Sequence, residues 1–400
     1  MELLDPVLQS YPWGSRTHLA RITGADAPTS KPWAELWFGA HALASATVAG
    51  TPLDELIAQD PAAALGYAID TDNGRLPFLL KLLAADEPLS LQAHPTLAEA
   101  QEGFARENAE GIPATAHFRN YRDNNHKPEL IVALTTFDAL AGFRPVERTK
   151  ELLATLAVPE LDHYMGLLDA ADDESALRAL FTTWLTLPQD VLDELVEAVA
   201  AKCADYSGDD EEFSRVVETT CELARKYPGD PGVLGSMLLN RLRLQPGEAI
   251  YLGAGQLHAY LNGMGVEIMA NSDNVLRGGL TSKHVDVVEL LRVLSFRPLP
   301  DPVLQSRLTD DGWNDYDAPV REFRLRSRDL EPGEHVLLDE ESATVVLSTA
   351  GTVTLRHDDS VVEVPSGHAA WVPAVDAVDI ELTARQNGAT VFVATVPRVG

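Results

Sequence analysis

The chain has 400 residues, 45% of them hydrophobic, which is enough for two or three packed domains. Acidic residues outnumber basic ones 61 to 31, and the formal net charge of −30 repels nucleic-acid phosphates and anionic membrane surfaces. We therefore expect neither nucleic acid nor a membrane as a partner, and any anionic substrate requires a local basic pocket.

The cysteines and the N-terminal residues bear on cellular location. The two cysteines, Cys203 and Cys221, form no CxxC pair, so neither a disulfide framework nor a sulfur-rich metal site is expected. The stretch "MELLDPVLQSYPWGS" lacks the basic leader and apolar block of a signal peptide, and no run reaches membrane-spanning length. These features favour a cytoplasmic protein.

The pattern of apolar residues changes twice along the chain. Residues 1–147 and 241–400 contain short apolar runs broken by turn residues, such as "LPFLLKLLAA" and "ATVVLSTAGTVTLRH", which are typical of β-strands. Between them, residues 148–240 follow the 3.6-residue repeat of amphipathic helices. Closely spaced short strands favour jelly rolls over a parallel sheet with crossover helices.

A weak internal repeat lies in the C-terminal half. "PGEAIYLGAGQLHAYLN" and "PSGHAAWVPAVDAVDIEL" each place a glycine, Gly247 or Gly367, before a five-residue strand and a second turn. The first copy resembles the second sequence motif of the cupin family and carries His258 where the second copy has Val378. The resemblance implies that one jelly roll keeps a metal ligand that the other lacks.

The predicted fold class is therefore mainly β, with two cupin-like jelly rolls and an inserted α-helical domain. The predicted segments are residues 1–147, the N-terminal part of the catalytic cupin domain; 148–240, the helical insertion domain; 241–310, the rest of the catalytic cupin with the metal and substrate site; and 311–400, a C-terminal degenerate cupin domain.

The stretch "LSLQAHPT" places two polar residues in an apolar run. On a strand, Gln92 and His94 point to one face, while Leu89, Leu91 and Ala93 point to the other. A hydrogen-bonded polar pair or a lone core histidine would explain this pattern, and so would half of a metal site.

Two further residues favour the metal site. His258 begins a strand after a glycine-rich turn, although a packed core histidine looks the same in sequence. Glu129 opens an apolar strand, where a carboxylate is costly without a cation; a salt bridge to Lys127 is the alternative. Two imidazoles, one carboxylate and the amide oxygen of Gln92 suit one zinc ion per chain, or another divalent metal, with a position left for substrate.

The segment "GVEIMANSDNVLRGGLTSKHVD" crowds charged and polar groups into a short stretch. A solvated loop has a similar composition, but basic residues are scarce in so acidic a chain. Held near a metal, Arg277 and Lys283 could donate hydrogen bonds to the phosphate oxygens of a phosphorylated substrate.

Several longer motifs resemble the type I phosphomannose isomerase family. They occur in order along the chain and include "YPWGS", "AELWFGAH", "LPFLLKLLAADEPLSLQAHP", "NHKPE", "SDNVLRGG" and "GLTSK". The resemblance implies zinc ligands at Gln92, His94, Glu129 and His258, the same set that the residue chemistry indicates. The substrate-site residues that it implies are Arg277 as the catalytic arginine, Ser90, Lys127, Glu267 and Lys283 in the sugar-phosphate pocket, and His126 beside the metal-bearing turn.

The activity implied by the resemblance is the reversible, metal-dependent isomerisation of mannose 6-phosphate and fructose 6-phosphate through a cis-enediol. A base must move a proton between C1 and C2 while positive charge stabilises the two oxygens. We expect Arg277 and the metal to supply that charge, and Lys283 and Ser90 to hold the phosphate. The candidates for the proton carrier, which the sequence leaves open, are Glu267, His126 and Lys127.

Two alternative functions use some of the same features. A cupin dioxygenase binds iron through similar ligands but does not need cations such as Arg277 and Lys283. A non-enzymatic bicupin that binds sugars would tolerate ligand loss in both halves, whereas here the first half retains its ligands. We expect a monomeric enzyme that acts on a small sugar phosphate.

Overall fold

The computed structural model describes residues 1–398. Within that range the chain forms two large antiparallel sheets of eleven strands each, a two-stranded sheet and a group of helices inserted between strands. This architecture confirms the predicted mainly β fold with inserted helices, and the two large sheets fit two cupin-like jelly rolls.

The strands alternate with short turns before and after the helical insertion. In chain order they are β1 (Glu2–Asp5), β2 (Val7–Gln9), β3 (Glu35–Phe38), β4 (Ala40–His41), β5 (Ala44–Ser45), β6 (Thr47–Val48), β7 (Thr51–Pro52), β8 (Phe78–Ala85), β9 (Gln92–Ala93), β10 (Glu129–Ala133), β11 (Phe137–Phe143), β12 (Leu239–Leu244), β13 (Ala249–Leu252), β14 (His258–Ala270), β15 (Leu276–Arg277), β16 (Val303–Leu304), β17 (Arg307–Leu308), β18 (Asn314–Tyr316), β19 (Arg324–Leu330), β20 (His335–Leu338), β21 (Thr344–His357), β22 (Ser360–Pro365), β23 (Ala369–Val372) and β24 (Ile380–Thr395).

Each large sheet forms one roll. The first roll has the order β16-β13-β10-β14-β8-β3-β2, with β9, β11, β12 and β15 attached to it. The second roll has the order β17-β18-β19-β24-β21-β23-β1-β6-β7, with β20 and β22 attached.

Most of the α-helices lie between β11 and β12, as the 3.6-residue periodicity predicts. In chain order, all the α-helices of the described residues are α1 (His18–Ile22), α2 (Leu53–Gln59), α3 (Pro61–Leu65), α4 (Leu97–Ala109), α5 (Val146–Leu156), α6 (Asp162–Met165), α7 (Asp173–Leu185), α8 (Gln189–Ala204), α9 (Glu211–Lys226), α10 (Pro231–Ser236) and α11 (Val287–Val293). Helices α5 to α10 form the insertion. Among residues 1–398, none of these helices combines the length and apolar character needed to cross a bilayer.

The apolar faces of the inserted helices pack against the first roll. Trp184 of α7 and Leu195 of α8 belong to the same buried cluster as Leu91 and Ala93, which flank Gln92 of β9. The helical insertion therefore supports the segment that carries the predicted metal ligands. Leu89 instead packs with a different cluster, and β9 is only two residues long, so the predicted alternation does not extend to Leu89.

Alternation along the central strands of the first roll separates core from site. On β8, Leu80 and Leu82 face a core shared with the second roll, while the intervening Lys81 points to the opposite face. On β14, Val266 and Ile268 share that core and flank Glu267 in the same way. Charged side chains consequently line the interior of the first roll.

The second roll has a core of its own and borrows a strand from the N-terminus. Strand β1 pairs with β23 and with β6, so residues 2–5 belong to the second sheet, although the predicted division assigns them to the first roll. A four-residue strand carries no sequence signal that specifies its partner. The segment boundaries at residues 147, 240 and 310 remain predictions.

The two turns of the internal repeat adopt the same backbone conformation. Gly247 and Gly367 have φ of +90° and +76°, a left-handed region that favours glycine, and each turn precedes a four-residue strand, β13 or β23. Val378, opposite His258 in the repeat, is 38% exposed and lies beyond β23.

The position of β1 predicts different effects for two adjacent leucines. Leu4 is 1% exposed in the core between the rolls, so Leu4→Ala should lower the free energy of unfolding by about 2–5 kcal/mol. The control is Leu3→Ala, because Leu3 is 42% exposed on the other face of the strand. Denaturant unfolding of both variants checks this, and equal destabilisation would contradict the placement of β1.

Candidate metal centre and active site

Strand pairing brings the predicted ligands together from distant parts of the sequence. Gln92 on β9 pairs with His258 at the start of β14 on one side and with Arg277 of β15 on the other. His94 follows β9 directly, and Glu129 is the first residue of β10, which pairs with β14. The first roll thus carries all five residues on neighbouring strands.

His94, Glu129 and His258 form a compact buried cluster. One potential ligand atom from each lies within 4.8 Å of the others. The Nε2 atoms of His94 and His258 are each 3.4 Å from the same oxygen, Oε2 of Glu129, and all three side chains are at most 5% exposed. Two imidazoles and one carboxylate at these separations are an arrangement that could hold a divalent cation.

Backbone carbonyls fix the orientation of both imidazoles. Nδ1 of His94 is 2.8 Å from the carbonyl oxygen of Asn274, and Nδ1 of His258 is 2.9 Å from that of Gln256. A carbonyl oxygen can only accept, so each Nδ1 carries the proton and each Nε2 keeps a lone pair facing Glu129.

The protonation states of the cluster also suit a metal. Burial lowers the pKa of His94 to about 4, so that its ring is neutral at pH 7. Burial by itself would raise the pKa of Glu129, but the ammonium group of Lys127 holds that pKa well below its ordinary value. Nε2 of His94 is buried without a hydrogen-bond partner among the described residues. The neutral ring of His94, an ionised carboxylate and an unsatisfied nitrogen fit a zinc ion.

The salt bridge considered for Glu129 exists alongside the cluster. Nζ of Lys127 lies 2.7 Å from Oε1 of Glu129, while Oε2 faces the two imidazoles. One carboxylate therefore serves two neighbours, and the ammonium group of Lys127 borders the candidate metal centre.

A second set of buried charges lies on the neighbouring strands. Nζ of Lys81 donates a hydrogen bond of 2.8 Å to Oε2 of Glu267 and lies 3.6 Å from Oε1 of Glu35. Burial and the nearby carboxylates of Glu129 and Glu35 raise the pKa of Glu267, although Lys81 opposes the shift. The sequence analysis missed Lys81; its signal was a lone charge in "FLLKLLAA", a strand with every residue buried.

Three cations are near enough to one another to interact. Partial burial lowers the pKa of both Arg277 and Lys283; repulsion from Arg122 lowers both further, and repulsion from Arg277 also lowers that of Lys283. Arg277 is half-buried and Lys283 is exposed. Arg122 was not predicted, because nothing in its sequence neighbourhood distinguishes it from a surface arginine.

Ser90 lies beside the segment that carries Arg277. The amide of Leu89 donates to the carbonyl of Tyr260, and the amide of Leu91 donates to the carbonyl of Gly279, so the chain at Ser90 bridges β14 and the residues after β15. The half-buried Ser90 is thereby held between the strand of the metal cluster and the loop that leads to Lys283.

The side chain of Asn274 connects the cationic segment to the turn before Lys127. Its Oδ1 accepts the amide of Arg122 at 2.7 Å, and its Nδ2 donates to the carbonyls of Asp123 and Asn125 at 2.8 and 2.9 Å. The same residue accepts the Nδ1 proton of His94 through its backbone carbonyl. A fully buried amide thus fixes both a candidate ligand and the adjacent turn.

The ring of His126 contacts the second roll, whereas the sequence places His126 beside the metal-bearing turn. Nε2 of His126 lies 2.9 Å from Oε1 of Glu322, a buried carboxylate in the second roll. This contact gives Nε2 of His126 a partner in the second roll, and the role of His126 in proton transfer stays a prediction.

Buried histidines and a glutamate inside an antiparallel roll, with cations beside them, define a cupin-type metal-binding protein. The family model described as phosphomannose isomerase type I, catalytic domain, matches residues 1–146. Mannose-6-phosphate isomerase of Escherichia coli K12 is 36% identical over 382 residues, covering 94% of this chain and 95% of the relative. The chain belongs to the type I phosphomannose isomerase family.

Other relatives and solved structures agree with this assignment. Mannose-6-phosphate isomerase of Homo sapiens is 33% identical over 417 residues, covering 95% of each chain. The apo form of the Salmonella typhimurium enzyme is similar with a TM-score of 0.89 and 34% identity, covering 99% of each chain. A zinc-bound mannose 6-phosphate isomerase gives the same TM-score, identity and coverage.

The cluster predicts that metal content depends on His258. His258→Ala removes one of two imidazoles and should eliminate most of the bound zinc while the protein remains folded, because the ring of His258 belongs to none of the apolar clusters. Zinc per chain, measured after dialysis and compared with circular dichroism, checks this. The control is His335→Ala, whose ring is exposed in the second roll. Wild-type zinc content in His258→Ala would refute the assignment.

Proposed function

We propose that the protein interconverts mannose 6-phosphate and fructose 6-phosphate through a cis-enediol, at the interior of the first roll. The observation that carries the proposal is the buried cluster of His94, Glu129 and His258, with Arg277 on a neighbouring strand, in a chain of net charge −30. Membership of the type I phosphomannose isomerase family supports the same reaction.

The metal in this proposal is one zinc ion per chain. His94, Glu129 and His258 would hold it, together with Gln92, which is next to His258 in the strand ladder. Bound there, zinc supplies Lewis-acid stabilisation of negative charge on a substrate oxygen. The zinc-bound relative of closely similar fold supports this choice of metal.

The cations beside the cluster divide into an anchor and a catalytic group. Lys283 is exposed, so its ammonium group is accessible to the phosphate of a substrate that enters from solvent. The hydroxyl of Ser90 can donate a further hydrogen bond, and we assign both residues to phosphate binding. Arg277 is half-buried and directly adjacent to Gln92 in the ladder. Its planar guanidinium is suited to stabilise charge on the enediol oxygens.

Of the three candidates for proton transfer, we favour Lys127 and Glu267 over His126, because Nε2 of His126 is bonded to Glu322. Lys127 borders the cluster through its 2.7 Å contact with Glu129. Glu267 is buried, and its raised pKa brings the carboxylate closer to the range in which a general base is efficient. Lys81, hydrogen-bonded to Glu267, would stabilise the ionised form that accepts a proton.

The two alternative functions have less support. A cupin dioxygenase does not require the cluster of Arg122, Arg277 and Lys283, which favours an anionic substrate. A non-enzymatic bicupin that binds sugars does not explain 33–36% identity to mannose-6-phosphate isomerases over nearly the whole chain. We further propose that the enzyme is cytoplasmic and acts as a monomer on a small sugar phosphate, without nucleic acid or membrane partners.

The phosphate assignment is tested with the purified protein in a coupled assay on mannose 6-phosphate. Lys283→Ala should raise KM by roughly 10-fold and weaken inhibition by inorganic phosphate to the same extent, because both depend on one anchor. The control is Lys202→Ala, which removes an exposed lysine of α8. Unchanged phosphate inhibition would remove Lys283 from the pocket, and an inactive wild-type protein would refute the proposed reaction.

The role of Arg277 is tested by comparing kcat with KM. If Arg277 stabilises the enediol oxygens, Arg277→Ala should lower kcat by roughly 10²-fold or more, with zinc content near normal. Arg277→Lys keeps the charge without the planar fork and should recover only part of the rate. A raised KM with wild-type kcat in Arg277→Ala would show a binding role instead.

A further inference from the structure

The second roll contributes a carboxylate to the surroundings of the metal cluster. Glu322 lies in the loop between β18 and β19, and its side chain is 4% exposed. Its Oε1 is 2.9 Å from Nε2 of His126, which is three residues before Glu129. A group from the roll that lacks metal ligands therefore contacts the turn leading into the candidate metal centre.

This turn is held on two sides by different parts of the molecule. Residues 122–125 are fixed to the first roll by the side chain of Asn274 and by Asp123, whose Oδ1 accepts from Ser272 Oγ at 2.9 Å and whose Oδ2 accepts from the Asp273 amide at 2.7 Å. The next residue, His126, is bonded to the second roll. Lys127 follows immediately, so the His126 contact is the last side-chain hydrogen bond before the residues of the cluster.

Charge neutralisation alone does not explain the contact. Nε of Arg321 already donates to Oε1 of Glu322 at 3.2 Å, which supplies a cation to the buried carboxylate. The hydrogen bond from His126 therefore has an orienting effect. It fixes the imidazole of His126 and, through it, the backbone from which Lys127 extends.

We infer that Glu322 is a positioning residue for the isomerase site, which acts by holding His126 and thereby the turn that carries Lys127 and Glu129. Adjacent Cα atoms are only about 3.8 Å apart, so a change in the His126 backbone displaces Lys127 directly. Displacement by about 1 Å is enough to impair a group that must meet the substrate in one geometry. The inference rests on the proposed function, because it assigns Lys127 to the reacting part of the site.

The test compares Glu322→Ala and Glu322→Gln in the full-length, zinc-loaded protein. Glu322→Ala should lower kcat by roughly 10-fold, with zinc content and the KM for mannose 6-phosphate nearly unchanged. The reason is that the lost contact orients His126 and Lys127 but binds neither the metal nor the substrate. Glu322→Gln should retain most of the wild-type kcat, since its amide oxygen still accepts the proton from Nε2 of His126. A loss of folded enzyme would also lower the apparent kcat at unchanged KM, so kcat is calculated per folded, zinc-loaded chain, with circular dichroism and zinc content measured on the same sample.

A matched control separates positioning from general weakening of the second roll. Glu340 is another buried carboxylate of that roll, paired with Arg326, and Glu340→Gln should lower the melting temperature while leaving kcat unchanged. His126→Phe removes the same hydrogen bond from the other side, so it replaces Glu322→Ala if that variant does not fold. The double variant should be no slower than either single variant.

The possible results are distinguishable. Wild-type kcat in Glu322→Ala or His126→Phe would overturn the inference while leaving the isomerase activity intact. An equal loss of kcat in Glu340→Gln, or additive losses in the double variant, would overturn it as well. A wild-type protein that does not convert mannose 6-phosphate would instead refute the proposed function on which the inference rests.

Discussion

The carboxylate of Glu129 is the group on which the arrangement of the site depends. It is buried, so it requires compensation: Lys127 faces one oxygen, and the imidazoles of His94 and His258 face the other. Backbone carbonyls hold the Nδ1 atoms of both imidazoles and direct both Nε2 lone pairs at this oxygen, so the imidazoles alone do not compensate its charge. Two lone pairs directed at an anion require a cation between them, which is the physical reason for a metal at this position.

The balance of buried charge is consistent with that requirement. Glu35, Glu129 and Glu267 contribute three negative charges when ionised, and Lys81 and Lys127 contribute two positive charges. A divalent ion converts this slight excess of negative charge into a slight excess of positive charge. The interior of a strongly acidic protein can then accept a phosphorylated sugar, with electrostatic repulsion from its outer surface offset locally.

The first roll, the helical insertion and the second roll each contribute differently to this interior. The first roll supplies the ligands because alternation along β8, β10 and β14 directs apolar residues to the shared core and charged ones to the inside. The helical insertion packs behind β9. The second roll has Val378 at the repeat position of His258, and it covers the shared core and contacts the turn before Glu129 through Glu322.

The sequence by itself determined the fold class, the family and the identity of the candidate metal ligands. Apolar periodicity distinguishes strands from helices locally, and residues such as His258 and Glu129 stand out because polar groups at the start of apolar strands need a partner. The family predicted from the motifs is confirmed by the comparisons, while the roles of individual site residues remain proposals.

Only the tertiary structure decided which groups meet across the fold. The placement of β1 in the second roll, the pairing of Lys81 with Glu267, and the contact of His126 with Glu322 all join residues far apart in sequence. Local periodicity contains no information about such partners, because it records which face of a strand is buried and not what covers it. For that reason the position of His126 next to Lys127 suggests a proton carrier, whereas the bond of its ring to the second roll appears only in the tertiary structure.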